Sequence, residues 1–124
     1  MRARKVVSQE LSHLFSALAN QHRIRIVEEL RSGELDVNSL QQALGISHSS
    51  VSQHLAVLRS HRLVQERREG RHVFYSLSHP QLAAWILEGL DFLAMEFDLG
   101  EKMRSAVEEV RNLWSGKEKQ EARR

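Results

Sequence analysis

Four serines fall within six positions, Ser47, Ser49, Ser50 and Ser52, and Gln53 and His54 follow directly. A serine hydroxyl is short and both donates and accepts hydrogen bonds. A glutamine amide does both at once and can pair with the edge of an adenine. Turned by about 100° per residue, the segment His48 to Ser60 groups Val51, Leu55 and Leu58 on one side. Ser49, Gln53, Ala56 and Ser60 fall opposite, with Ser52 and Arg59 on one flank and Ser50 and His54 on the other. The outward face carries no acid, so it can approach a negatively charged groove. The helix start at Ser47 and His48 favours phosphate. The plain alternative is a solvated helix face. Serine competes with the helix backbone for hydrogen bonds, however, so four of them are a mild cost that argues for use.

A second group lies just downstream, where Arg67, Arg68 and Arg71 crowd into five residues. Arginines on a turn can grip phosphates or enter a minor groove. Metal chemistry finds less support. The chain has no cysteine and seven histidines, none paired with another at i,i+3 or i,i+4, so no helix presents two on one face. His48 and His54 suit DNA contact or local packing. His72 and His79 belong to the segment around the arginine turn, and His13 and His22 to the N-terminal helices. No metal and no cofactor are assigned, although a site assembled across subunits stays open. There is no glycine-rich phosphate loop, no thiol nucleophile and no acid–base constellation, so the chain is not read as an enzyme.

These residues need elements to hold them. Leu11, Leu14, Phe15 and Leu18 recur at helical spacing within about residues 8–18, and Ile24, Val27 and Leu30 within 21–31. Asp36 suits an N-cap, Gly45 a stop and Ser47 a second N-cap, giving two short helices joined by Gly45-Ile46-Ser47. A glycine turn between two helices is the helix-turn-helix pattern. From Leu63 to Leu77 the period changes to two, and Glu69-Gly70 reads as the turn of a hairpin. Pro80 opens a last helical region that is apolar nearly all round, with Leu82, Trp85, Ile86, Leu90, Leu93 and Phe97 on one side and Leu87, Phe92, Ala94 and Met95 on others. Such a helix must be covered on two faces, one by its own core and one by a second subunit. Gly100 divides or kinks it. The chain of 124 residues, 41% hydrophobic, is expected to form one domain over 1–115, with a disordered tail at 116–124. The net charge of +2 is too small to decide a partner by itself. No signal segment or membrane span is visible, and a cytoplasmic protein is expected.

Taken in order, "LANQHRIRIVEEL", "GELDVNSL", "ALGISHSSVSQHLAVLR" and "LVQERREGRHVFYSL" resemble the ArsR/SmtB family of bacterial winged helix-turn-helix repressors. The resemblance implies a mainly α fold with a small β-hairpin, dimerising through the first and last helices. It implies a homodimer on double-stranded DNA, at an imperfect palindrome in a promoter. Reading-helix contacts carry over onto Ser49, Ser50, Gln53 and His54, with Ser47, His48, Ser52 and Arg59 beside them, and wing contacts onto Arg67, Arg68 and Arg71. Dimer contacts fall on Leu11, Leu14, Phe15, Trp85, Leu90, Phe92, Leu93 and Phe97.

Many relatives bind metals through a Cys-Val-Cys motif that matches Asp36, Val37 and Asn38 here, which excludes a thiolate site. A second family site on the last helix would have only Glu88, Asp91, Glu96, Asp98 and Glu101, without histidine. Two departures stand out: Asn20-Gln21 replaces the usual proline step, and Ser60-His61 stands at the usual Ala-Gly turn before the wing. The expectation is a DNA-binding repressor whose effector, a small molecule or a protein, is open. The alternatives are a metal sensor with an atypical His/carboxylate site and a winged-helix protein-interaction module.

Overall fold

The computed structural model describes residues 2–96 and 100–117. Phe97 and Asp98, and residues 118–124 of the expected tail, lie outside the described residues. The chain divides into two compact units, Met1–Pro80 and Gln81–Arg124.

In the first unit, α1 spans Arg2–Leu18. It begins six residues before the expected start, because Arg2 to Val7 contains no breaker and only its apolar stripe begins later. Asn20 caps α2 (Gln21–Glu29), its side-chain oxygen accepting from the amides of His22 at 2.8 Å and Arg23 at 3.2 Å. The helix expected to run to Arg31 ends in a single 3-10 turn, Leu30–Ser32. The strand β1 (Leu35–Asp36) follows, too short for any alternation to be read from sequence.

Asp36 then caps α3 (Val37–Leu44) by accepting from the Ser39 amide at 2.8 Å. Gly45 closes α3 in the left-handed region at φ +69°, and its amide donates to the Gln41 carbonyl. Ser47 caps α4 (His48–Ser60) by accepting from the Ser50 amide at 3.1 Å.

The end of α4 differs from expectation. The Leu63 amide donates to the Leu58 carbonyl and the Arg62 amide to that of Arg59, both at 2.9 Å. This is the Schellman arrangement, whose left-handed position usually belongs to glycine. Arg62 occupies it at φ +61°. The residue under conformational demand at this turn is therefore Arg62, and not Ser60 or His61.

The wing is the hairpin β2 (Val64–Glu69) and β3 (His72–Leu77). Glu69 pairs with His72, so the turn is Gly70-Arg71 and not Glu69-Gly70. Gly70 takes the first central position at φ +61°, as a type II′ turn requires. β1 pairs with the other edge of β3, giving an antiparallel sheet in the order β1-β3-β2.

Ile26, Val27, Leu40, Val51, Leu55 and Leu58 are fully buried and lock α2, α3 and α4 together. Each contributes about 1.5–3 kcal/mol by leaving water. The α4 core face is the one expected. On α2, Ile26 takes the buried place expected of Ile24, which is exposed.

The second unit holds α5 (Gln81–Glu96) and α6 (Gly100–Asn112), followed by a π-helical turn, Leu113–Lys117. Gly100 starts α6 at φ +68°. An ion pair between Asp91 and Arg111 links the two helices.

Candidate nucleic-acid interface

The interface is built on α4. With Val51, Leu55 and Leu58 buried, Ser49, Gln53, Ala56 and Ser60 are left exposed. At the helix start Ser47 Oγ lies 2.9 Å from Ser50 Oγ and 3.2 Å from Ser49 Oγ. Three short hydroxyls thus satisfy one another and the first-turn amide, and among the described residues they reach no other element. His48 is exposed, whereas Ser50 and Ser52 are half-buried. The Gln53 side chain is exposed and has no intramolecular hydrogen bond among the described residues, so both ends of its amide are available to an incoming edge.

His54 turns inward. Its Nδ1 lies 3.3 Å from Arg23 Nη1 on α2, and its ring centroid is 5.5 Å from that of His22. Arg23 can only donate, so Nδ1 accepts and the imidazole is neutral with its proton on Nε2. Burial first, then the charge of Arg23 and the neighbouring His22, push the His54 pKa below its ordinary value. Arg23 also donates from Nε to the Ala17 carbonyl at 2.6 Å. It clasps the C-terminal end of α1 to α4, a structural use that a basic run does not reveal.

The other arginines divide sharply. Arg25 pairs with Glu28 at 3.1 Å and Glu29 at 2.7 Å along its own helix. Arg31 donates to the Glu28 carbonyl at 2.8 Å, so Arg23, Arg25 and Arg31 are all engaged by the fold itself. Arg59 at the end of α4 meets Glu66 on β2 at 3.0 Å, and Arg68 approaches the same carboxylate at 3.5 Å. The Tyr75 hydroxyl donates to Glu66 at 3.3 Å. Burial first, and then the negative Glu66, raise the Tyr75 pKa.

Arg67 pairs with Glu34 and Glu69 and lies over the Phe74 ring. Its hydrogen bond holds Glu34 below the usual carboxylate pKa. Arg71, in the wing turn, is exposed and has no ion pair among the described residues.

No three His, Cys, Asp or Glu side chains are grouped to hold a metal ion among the described residues. Asp36 is engaged as the α3 cap, and the Ser39 hydrogen bonds lower its pKa.

Each unit also exposes apolar side chains. On α1 these are Val6, Val7, Leu11 and Phe15, the last 51% exposed, while Leu14 is half-buried. On α5 they are Trp85, Phe92, Leu93 and Met95, with Phe92 63% exposed and Leu90 half-buried. Val6 and Val7 were missed in sequence because they precede the expected start of α1. No helix among the described residues is long and apolar enough to cross a membrane.

Comparison with known proteins gives a consistent picture. Residues 20–66 match the family model described as bacterial regulatory protein, arsR family. A transcriptional repressor SmtB homolog from Synechocystis is 46% identical over 71 residues, covering 57% of this chain and 54% of that protein. The match thus spans about half the length of that relative. The transcriptional activator HlyU from Vibrio cholerae is 44% identical over 59% of this chain and 68% of its own length. The structure of reduced Vibrio cholerae HlyU superposes with a TM-score of 0.66 at 38% identity, over 77% of this chain and all of that one. The homodimeric winged helix-turn-helix DNA-binding domain Mb0332 from Mycobacterium bovis, solved by NMR, gives a TM-score of 0.66 at 26% identity, over 77% of this chain and 91% of that one.

Proposed function

The chain belongs to the ArsR family of bacterial transcriptional regulators, and from that premise we propose that it is a homodimeric repressor reading an imperfect palindrome through α4. The observation that carries this is the outer face of α4: capped by serines, free of acid, and presenting an unengaged Gln53. Ser49 and Gln53 read base edges in the major groove, and His48 and the α4 start meet phosphate. Ser50 and Ser52 lie at the margin of that contact. His54 supports the helix through Arg23.

The exposed apolar side chains of α1 and α5 are the surfaces through which two copies associate. A twofold axis then sets the α4 helices of the dimer about 34 Å apart, in successive major grooves.

The test is selection of bound duplexes from a pool of random sequence by the full chain. Recovery of an inverted repeat with half-sites about one helical turn apart supports the reading. Recovery of no enriched sequence, with analytical ultracentrifugation showing a monomer, overturns it.

A further inference from the structure

Arg67 is the most heavily engaged side chain of the wing. Its Nε and Nη2 donate to the two carboxylate oxygens of Glu34 at 3.0 and 2.6 Å, and its Nη1 donates to Glu69 at 2.7 Å. The guanidinium carbon stands 4.8 Å from the centroid of the Phe74 ring. Register explains the geometry. Phe74 on the central strand is opposite Asp36 on one side and Arg67 on the other. Arg67 therefore reaches from β2 across the ring of Phe74 to Glu34, in the segment that leads into β1 and the capped start of α3.

We propose that Glu34 is a positioning residue for DNA binding: with Glu69 it clamps Arg67, fixing the wing against the start of the helix-turn-helix, and leaves the wing's phosphate contacts to Arg71 and Arg68. The inference rests on the DNA-binding reading above and changes how it is shared among the three wing arginines. An isolated exposed ion pair between two flexible side chains does little. This one is bidentate, stacked on an aromatic face, and joins residues 33 apart in sequence. A guanidinium held by two carboxylates and a ring has little left to offer a phosphate. Arg71 has no ion pair among the described residues, and the Arg68 side chain is 72% exposed with one long ion-pair contact.

The experiment compares Glu34→Gln, Arg67→Gln and Arg71→Gln in full-length protein, by anisotropy titration of a selected duplex over a range of salt. Each lost phosphate contact lowers the slope of log affinity against log salt by about 0.9. Arg71→Gln lowers that slope. Glu34→Gln and Arg67→Gln weaken binding by about threefold to tenfold, two exposed clamps per dimer acting together, and leave the slope unchanged. Combining these two is no worse than either alone.

The proposal is overturned if Arg67→Gln lowers the slope as Arg71→Gln does, or if Glu34→Gln strengthens binding or leaves it unchanged. Amide exchange in the free protein gives a second readout. The clamp requires faster exchange around Gly70 in Glu34→Gln and Arg67→Gln but not in Arg71→Gln. Should the wild type bind no duplex, the functional reading fails, and unaltered exchange in those two variants would separately refute the clamp.

Discussion

The reading helix and the wing hold their polar side chains in opposite ways. At the start of α4, Ser47, Ser49 and Ser50 bond to one another and to their own first turn. On the wing, Arg67 reaches Glu34 across the sheet, and Arg68 meets the Glu66 carboxylate that also receives Arg59 from the end of α4. Apart from the Ser47 cap, polar atoms satisfied locally leave the outer face of α4 exchangeable at little cost to the fold. Polar atoms satisfied at a distance make Arg67 part of the structure, so a basic residue on the wing is not automatically a ligand for phosphate. The two regions meet at Arg62, whose left-handed backbone turns the chain from helix into strand.

The contrast can be broken most forcefully from behind α4. Leu55→Ala empties a site that is 1% exposed and should cost about 2–5 kcal/mol, read as a lower urea midpoint. A loss under about 0.5 kcal/mol would mean that α4 is not anchored as described. On the opposite face, Gln53→Ala should leave urea stability within about 0.5 kcal/mol. Discrimination at one base pair per half-site should fall by about 1–3 kcal/mol, measured by competition with substituted duplexes. A stability loss without a specificity loss would erase the difference between the two faces.

At the junction, Arg62→Gly removes the steric penalty of a left-handed side chain and should gain about 0.5–1 kcal/mol, seen as a higher Tm. A lower Tm would show that the arginine side chain contributes more than its backbone costs.

The smallest effect concerns His54. Its pKa is held below the ordinary value of 6.5 by burial first, then by Arg23 and His22. The unfolded chain therefore takes up a proton where the folded chain does not. This contribution to stability is complete above pH 6.5 and is lost as the pH falls from there toward the lower folded value. His54→Gln should flatten the stability profile in that window, and an unchanged profile would place the imidazole in solvent.

The features legible in sequence are those whose cause lies within one helical turn. Asp36, Gly45 and Ser47 punctuate α3 and α4 as their chemistry dictates, and Val51, Leu55 and Leu58 fall on the core face by spacing alone. Features set by distant partners were not legible. β1 has two residues and exists because β3 offers a free edge. The wing turn sits one residue later than expected because Glu69 completes the ladder with His72. The engagement of Arg67 depends on an acid 33 residues away, and that of His54 on an arginine 31 residues away. Residue type suggested DNA contacts for both, whereas tertiary packing gives each a protein partner.

The central claim is that α4 reads sequence. Its most direct test is a titration of the full chain against the selected duplex and against a scrambled duplex of equal length and composition, at one fixed salt concentration near physiological. A preference of about a thousandfold or more for the selected site is expected, abolished when the half-site bases are exchanged. Equal affinity for the two duplexes would contradict it.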